Sequence, residues 1–321
     1  MRRNCCSAVV VFLSSFSLAL AQVSASAPAI SQLKLGNACY AKGEMDQAIA
    51  HYDAALRADS CFADAYFHRG NAFYAKGDFE SAVADYDRAI QLNPGCAEAY
   101  NNRGLILRSK GKGEQATADF SRAIRLNPYL EEAYNNRGIA RREKGDLRGA
   151  IDDFNQALRI NSHTAAIYSN RAVAKFLKGD MDGAIEDHSK AIKLNPLLAV
   201  AYSNRGVALE AKGRVDQALN DYDRAIELDP KLADAYENRA AIRQARREYA
   251  DAIKDYDRVI EINPRSAVGY ANRGIILLIE GQKDEAQKDF ERCLQLNEKL
   301  KPTLGRRIQE ISGKAGLRRN L

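Results

Sequence analysis

A motif of the form Ala-Tyr-x-Asn-Arg-Gly returns every 34 residues along most of this 321-residue chain. Tyr66, Tyr100, Tyr134, Tyr168, Tyr202, Tyr236 and Tyr270 keep that interval without insertion or deletion. Arg69, Arg103, Arg137, Arg171, Arg205, Arg239 and Arg273 keep it too. A strict period of this size means one small supersecondary unit stacked many times, because a single unit cannot bury its own apolar face and must cover it with a neighbour. Stacked units build an elongated surface, and such surfaces bind other chains.

Units can be numbered from Ala29, Ala63, Ala97, Glu131, Ala165, Ala199, Ala233 and Ala267. Position 8 is Gly36, Gly70, Gly104, Gly138, Gly206 and Gly274, with Ala172 and Ala240 in the other two units. Position 20 is alanine throughout, from Ala48 to Ala286. Position 24 is aromatic in seven of eight units: Tyr52, Tyr86, Phe120, Phe154, Tyr222, Tyr256 and Phe290. Position 27 is small in most units, as in Ala157 and Ala191. Apolar or small residues at 4, 8 and 11 share one helical face, and those at 20, 24 and 27 share the face of a second helix. The unit is therefore predicted to be a helical hairpin whose backbones approach closely at 8 and 20, with the ring at 24 filling the space beside them. Glycine at position 15, as in Gly43, Gly77 and Gly145, supplies the left-handed residue that stops the first helix. Asn-Pro or Asp-Pro at 31 and 32 ends the second.

This pattern resembles the tetratricopeptide repeat family, whose signature carries tryptophan at 4, Leu-Gly at 7 and 8, tyrosine at 11, alanine at 20, phenylalanine at 24 and proline at 32. The resemblance covers residues 29–300 as eight units without a gap. Two departures are systematic: tyrosine stands at 4 and arginine at 7. The resemblance implies an all-α fold, a right-handed superhelical solenoid of tandem 34-residue helical hairpins. Leu304, Ile308 and Ile311 follow Pro302 at helical spacing and predict a capping helix within residues 301–321, which end in a basic tail.

The arginines at position 7 have periodic companions. Asp85, Asp119, Asp153, Asp187, Asp221, Asp255 and Asp289 occupy position 23 of the same seven units. The first unit has Leu35 at position 7 and His51 at position 23, so arginine and aspartate are lost together. This correlation predicts structural ion pairs between the two helices of each hairpin, in the fork geometry that guanidinium and carboxylate favour. The competing reading is an anion track for a ligand.

A second polar row lies at position 6: Asn102, Asn136, Asn170, Asn204, Asn238 and Asn272. In the family, first helices line the concave groove, and the row resembles the asparagine ladder of the superhelical domain of O-linked N-acetylglucosamine transferases. An amide both donates and accepts, so it can pair with an extended peptide backbone. The other reading is that each asparagine bonds a neighbouring helix. Further groove candidates are Tyr40, Phe67 and Tyr74 towards the amino end and Arg108 and Arg142 in the middle, with Arg141 and Lys175 adjacent. The dicarboxylate clamp of co-chaperone members of the family is missing, because position 5 never carries lysine.

Residues 1–21 read differently. Arg2 and Arg3 precede an apolar run from Ala8 to Ala21 that ends in Ala19-Leu20-Ala21, the pattern of a cleaved secretory signal peptide. Residues 22–28 form a short leader. The expected location is periplasmic or secreted, with no integral membrane span once the signal is removed. In an oxidising compartment Cys61 and Cys96 could be joined, although adjacent repeats stand about a helix diameter apart, which is long for a disulfide. No Cys-x-x-Cys is present and the four histidines are scattered, so neither metal nor cofactor is expected. A formal charge of +6 is too mild to point to nucleic acid. The expected function is a non-catalytic protein–protein interaction scaffold that takes a protein or extended peptide in its groove. The alternatives are a glycan-binding or enzymatic envelope protein and a nucleic-acid binder.

Overall fold

The computed structural model describes residues 25–318. The expected signal peptide over 1–21, residues 22–24 of the leader and Arg319 in the tail lie outside the described residues. Every regular element among the described residues is helical.

The chain divides between Pro94 and Gly95 into two compact units. The first holds two hairpins, α1 (Ala27–Ala41) with α2 (Met45–Ala58) and α3 (Ala63–Lys76) with α4 (Phe79–Leu92). The second holds six. They are α5 (Ala97–Ser109) with α6 (Gly113–Leu126), α7 (Glu131–Glu143) with α8 (Leu147–Ile160), and α9 (Ala165–Leu177) with α10 (Met181–Leu194). They continue as α11 (Ala199–Ala211) with α12 (Val215–Leu228), α13 (Ala233–Ala245) with α14 (Tyr249–Ile262), and α15 (Ala267–Ile279) with α16 (Lys283–Leu296). A short 3-10 turn, Glu298–Leu300, leads into α17 (Lys301–Arg318).

The turn inside each hairpin is set by one residue. Gly145 adopts φ 84°, and its N–H donates to the carbonyl of Arg142 at 2.9 Å while the Asp146 N–H donates to that of Arg141 at 2.9 Å. These bonds satisfy carbonyls that the end of α7 would leave open. In the seventh hairpin Arg247 stands where glycine is expected. Arg247 takes φ 63°, and the same two bonds form, to Gln244 at 3.0 Å and from Glu248 to Arg243 at 2.9 Å. The residue itself bears the strain, about 1–2 kcal/mol for a side chain held left-handed.

Second helices end at the asparagine or aspartate of position 31. The Asn127 side chain accepts from the Tyr129 N–H at 3.0 Å, and Asn195 accepts from Leu197 at 3.1 Å. Asn161 accepts from His163 at 3.0 Å in one of the three units that lack the proline. The short side chain stands in for a backbone turn, so asparagine ends the helix whether or not proline follows.

Packing inside a hairpin is a ring against a bare backbone. Ala150, Phe154 and Ala157 of α8 are fully buried. A Cβ on Gly138 of α7 would lie 2.7 Å from Cε1 of Phe154, closer than packed atoms come. Burying one such ring stabilises by about 1.5–3 kcal/mol. The fifth unit departs from the rule with buried His188 at position 24 and Ala172 at position 8.

Within the second unit successive first helices touch: α5 with α7, α7 with α9, α9 with α11, and α11 with α13. Successive second helices stand farther apart, so first helices line the inner side of this unit. In the first unit α1 likewise touches α3. Helix α17 contacts α15 as one more first helix would, and Leu304, Ile308 and Ile311 cover the cluster around Phe290 and Cys293.

Candidate peptide-binding face

The periodic arginines sit at the joints between helices. Arg137 Nε donates to Asp153 Oδ2 at 2.9 Å and Nη2 to Oδ1 at 2.7 Å, a bidentate fork joining α7 to α8. The same fork joins Arg69 to Asp85 in the first unit. In the second unit it joins Arg103 to Asp119, Arg171 to Asp187, Arg205 to Asp221, Arg239 to Asp255 and Arg273 to Asp289. The aspartates are buried and the arginines half-buried.

The remaining guanidinium nitrogen reaches back one hairpin. Arg137 Nη1 donates to Ser121 at 3.1 Å, Arg171 to Asn155 at 2.7 Å and Arg205 to Ser189 at 3.0 Å. Arg239 reaches Asp223 and Arg273 reaches Asp257, both at 2.6 Å, and Arg69 pairs with Asp53. Each of these partners stands at position 25. Sequence reasoning missed this row because its identity changes among Asp, Ser and Asn; the signal that could have found it is the constant presence of an acceptor. The tyrosine at position 4 completes the joint. Arg137 lies over the Tyr134 ring at 5.8 Å, and Tyr168 lies between Arg171 at 5.4 Å and Lys190 at 5.9 Å. The two departures at positions 4 and 7 thus form one contact, a cation on an aromatic face.

Arg141 and Lys175, adjacent in sequence to the groove positions, pair with buried aspartates. Arg141 Nη1 meets Asp153 at 2.9 Å, Lys175 meets Asp187 at 2.8 Å, and Arg243 meets Asp255 at 2.8 Å. All three stand at position 11 and add a second cation to a buried carboxylate. Burial alone would raise the Asp187 carboxyl, but Arg171 and Lys175 outweigh it and hold it below the usual carboxylate range.

The asparagine row is divided. Asn136 is buried, and its amide donates to Asn101 Oδ1 on the preceding first helix at 3.0 Å. Asn170 donates to Asn135 in the same way at 3.0 Å. Asn102 accepts from Asn101 at 3.1 Å, and Asn272 accepts from Arg307 of α17 at 2.9 Å. Asn136, Asn170 and Asn272 thus bond a neighbouring helix, whereas the Asn102 bond lies within α5. Asn204 and Asn238 are half-exposed and make no side-chain hydrogen bond among the described residues.

Tyr40 and Tyr74, in the first unit, are exposed, and Phe67 packs edge-on against His68 with ring centroids 5.2 Å apart. In the second unit Arg108 Nη1 donates to Glu143 Oε1 at 2.7 Å, and Arg142 is half-buried. Among the described residues no group of three or more His, Cys, Asp or Glu stands close enough to hold a metal ion. None of the described helices is long and apolar enough to cross a membrane.

Family models agree with this geometry. Three models described as TPR repeat or tetratricopeptide repeat match residues 36–77, 70–107 and 174–213, then 97–130, 131–163, 199–232 and 233–266, and finally 255–288. No curated protein matches the chain. Among solved structures, a tetratricopeptide repeat protein from Parabacteroides merdae is 18% identical with a TM-score of 0.62, covering 78% of this chain and 100% of that one. The pilF protein of Pseudomonas aeruginosa is 19% identical with a TM-score of 0.60, covering 67% and 97%. The Cut9-Hcn1 hetero-tetramer of APC/C gives 16% identity and a TM-score of 0.65, covering 87% and 55%. At these identities the likeness is one of fold.

Proposed function

Because the chain belongs to the tetratricopeptide repeat family, we propose that it is a non-catalytic adaptor, exported from the cytoplasm, that holds an extended polypeptide segment along the inner side of its first helices. The observation that carries this reading is the pair Asn204 and Asn238. They stand on touching first helices, α11 and α13, one repeat apart, with both amides uncommitted. Neighbouring helix axes lie about 8–10 Å apart, and an extended chain advances about 3.3 Å per residue. An amide would therefore meet about every third peptide unit, offering a donor and an acceptor to backbone groups whatever the side chains are. Export rests on the apolar run and small-residue end of residues 1–21.

The test is peptide display selection on the purified chain. Wild type is expected to retain peptides, and Asn204→Ala with Asn238→Ala to lose them without loss of helical signal. Equal retention by both proteins would remove the amide groove. Sequencing the amino terminus of the mature protein tests export; retention of Met1 in the cytoplasmic fraction counts against it.

A further inference from the structure

We propose that the guanidinium groups of Arg108 and Arg142 form a site for one carboxylate, carried by an acidic side chain of the bound segment; the inference rests on the groove reading and specifies its chemistry. Both arginines stand at position 12, on helices α5 and α7, which touch. Arg108 gives one nitrogen to Glu143, but its Nε is buried and donates to nothing, unlike every other buried side-chain nitrogen or oxygen among the described residues. The half-buried Arg142 guanidinium makes no hydrogen bond or ion pair among those residues. The contrast with its neighbour is direct: Arg141 is held by Asp153, and Arg142 by no one.

The charges do not close. Glu143 pairs with Arg108, which leaves the half-buried Arg142 without an ion-pair partner among the described residues. Burial pushes the Arg142 guanidinium below its ordinary value, Glu143 pulls it partly back, and Arg108 pushes it down again. An unsatisfied buried donor is unfavourable by about 1–3 kcal/mol. Water would satisfy the donor and leave the charge. A carboxylate satisfies both, since its two oxygens match the guanidinium fork. Leu105 and Ile139, one turn back on the same helices and half-buried, supply apolar flanks that strengthen the attraction. A doubly charged phosphate fits less well, because Glu143 remains in the site and repels it.

The test follows the arginine Nε–H resonances of the full chain by 1H–15N spectroscopy during titration with small probes. N-acetylglutamate α-amide carries only a side-chain carboxylate, N-acetylglutamine α-amide carries none, N-acetylglycine carries only a terminal one, and inorganic phosphate is the fourth probe. The Arg108 and Arg142 resonances are expected to move with the first probe and not with the second. Arg142→Gln should weaken that response by about tenfold, and Glu143→Gln should strengthen it by removing the internal competitor. A larger response to N-acetylglycine overturns the side-chain assignment, a larger response to phosphate overturns the choice of carboxylate, and resonances that ignore every anion overturn the site. Successful peptide selection with silent arginines would sink this inference and leave the groove standing; moving arginines without any selected peptide would do the reverse.

Discussion

Arg137 and Asp153 are joined by two parallel hydrogen bonds of 2.9 and 2.7 Å, and the third nitrogen of the same guanidinium reaches Ser121 of the preceding hairpin at 3.1 Å. One side chain therefore fixes both the closure of its own hairpin and the docking of that hairpin on the last. The Asp153 side chain is 3% exposed and Arg137 16%, so neither charge has water to fall back on. Asp153→Leu alone, which strands Arg137 and Arg141, is expected to destabilise by about 3–5 kcal/mol, Arg137→Leu by less because Arg141 still holds Asp153, and the double substitution by less than the sum of the two. A double-mutant cycle in urea measures this; strictly additive losses would show that the pair is not coupled.

Gly138→Val should destabilise by about 1–3 kcal/mol, because its side chain enters the volume of Phe154, and Phe154→Leu in the same chain should recover part of the loss. Ala240 beside Tyr256 marks the limit of tolerance: a single methyl is accommodated in that hairpin. Thermal unfolding of the single and double variants checks the relation, and no recovery in the double variant counts against direct contact.

His188 gives the fold an acid-sensitive point. Burial, opposed by Asp187 and assisted by Arg205, lowers its pKa from the ordinary 6.5 to about 4. The unfolded chain therefore binds more protons than the folded one between those values. Stability is fully present above about pH 6.5 and falls as pH drops towards 4, by about 3 kcal/mol in all. Urea midpoints across that range should fall less steeply for His188→Leu than for wild type; parallel curves would assign the acid sensitivity elsewhere.

Arg247→Gly removes the one left-handed side chain among the described residues. Its turn already carries the two bonds of the glycine turns, so nothing else need change. A gain of about 1 kcal/mol is expected in equilibrium unfolding, and a loss would mean that the Arg247 side chain makes a stabilising contact.

The hairpin, its turn and the Arg–Asp partnership were legible because each recurs at one register and each is forced by sterics or charge. Gly138 must be small where Phe154 is large, and Arg137 disappears from the pattern only where Asp153's counterpart does. The position 25 acceptors escaped notice because a hydrogen bond accepts substitution among Asp53, Ser121 and Asn155, which share chemistry but not identity. Arg141 and Lys175 stand beside the groove positions in the sequence, and their bonds to buried aspartates depend on the facing helix, which their own register does not reveal. Asn136 and Asn204 occupy the same position, and only their surroundings separate them: an asparagine at position 5 one helix earlier, Asn101, engages the first, whereas Asn204 has no such bond.

The most direct measurement is backbone amide mapping by NMR of the chain with a selected peptide bound. Perturbations should concentrate on the first helices α5, α7, α9, α11 and α13, and include Asn204 and Asn238. Perturbations confined to the second helices α8, α10, α12 and α14 would contradict the account.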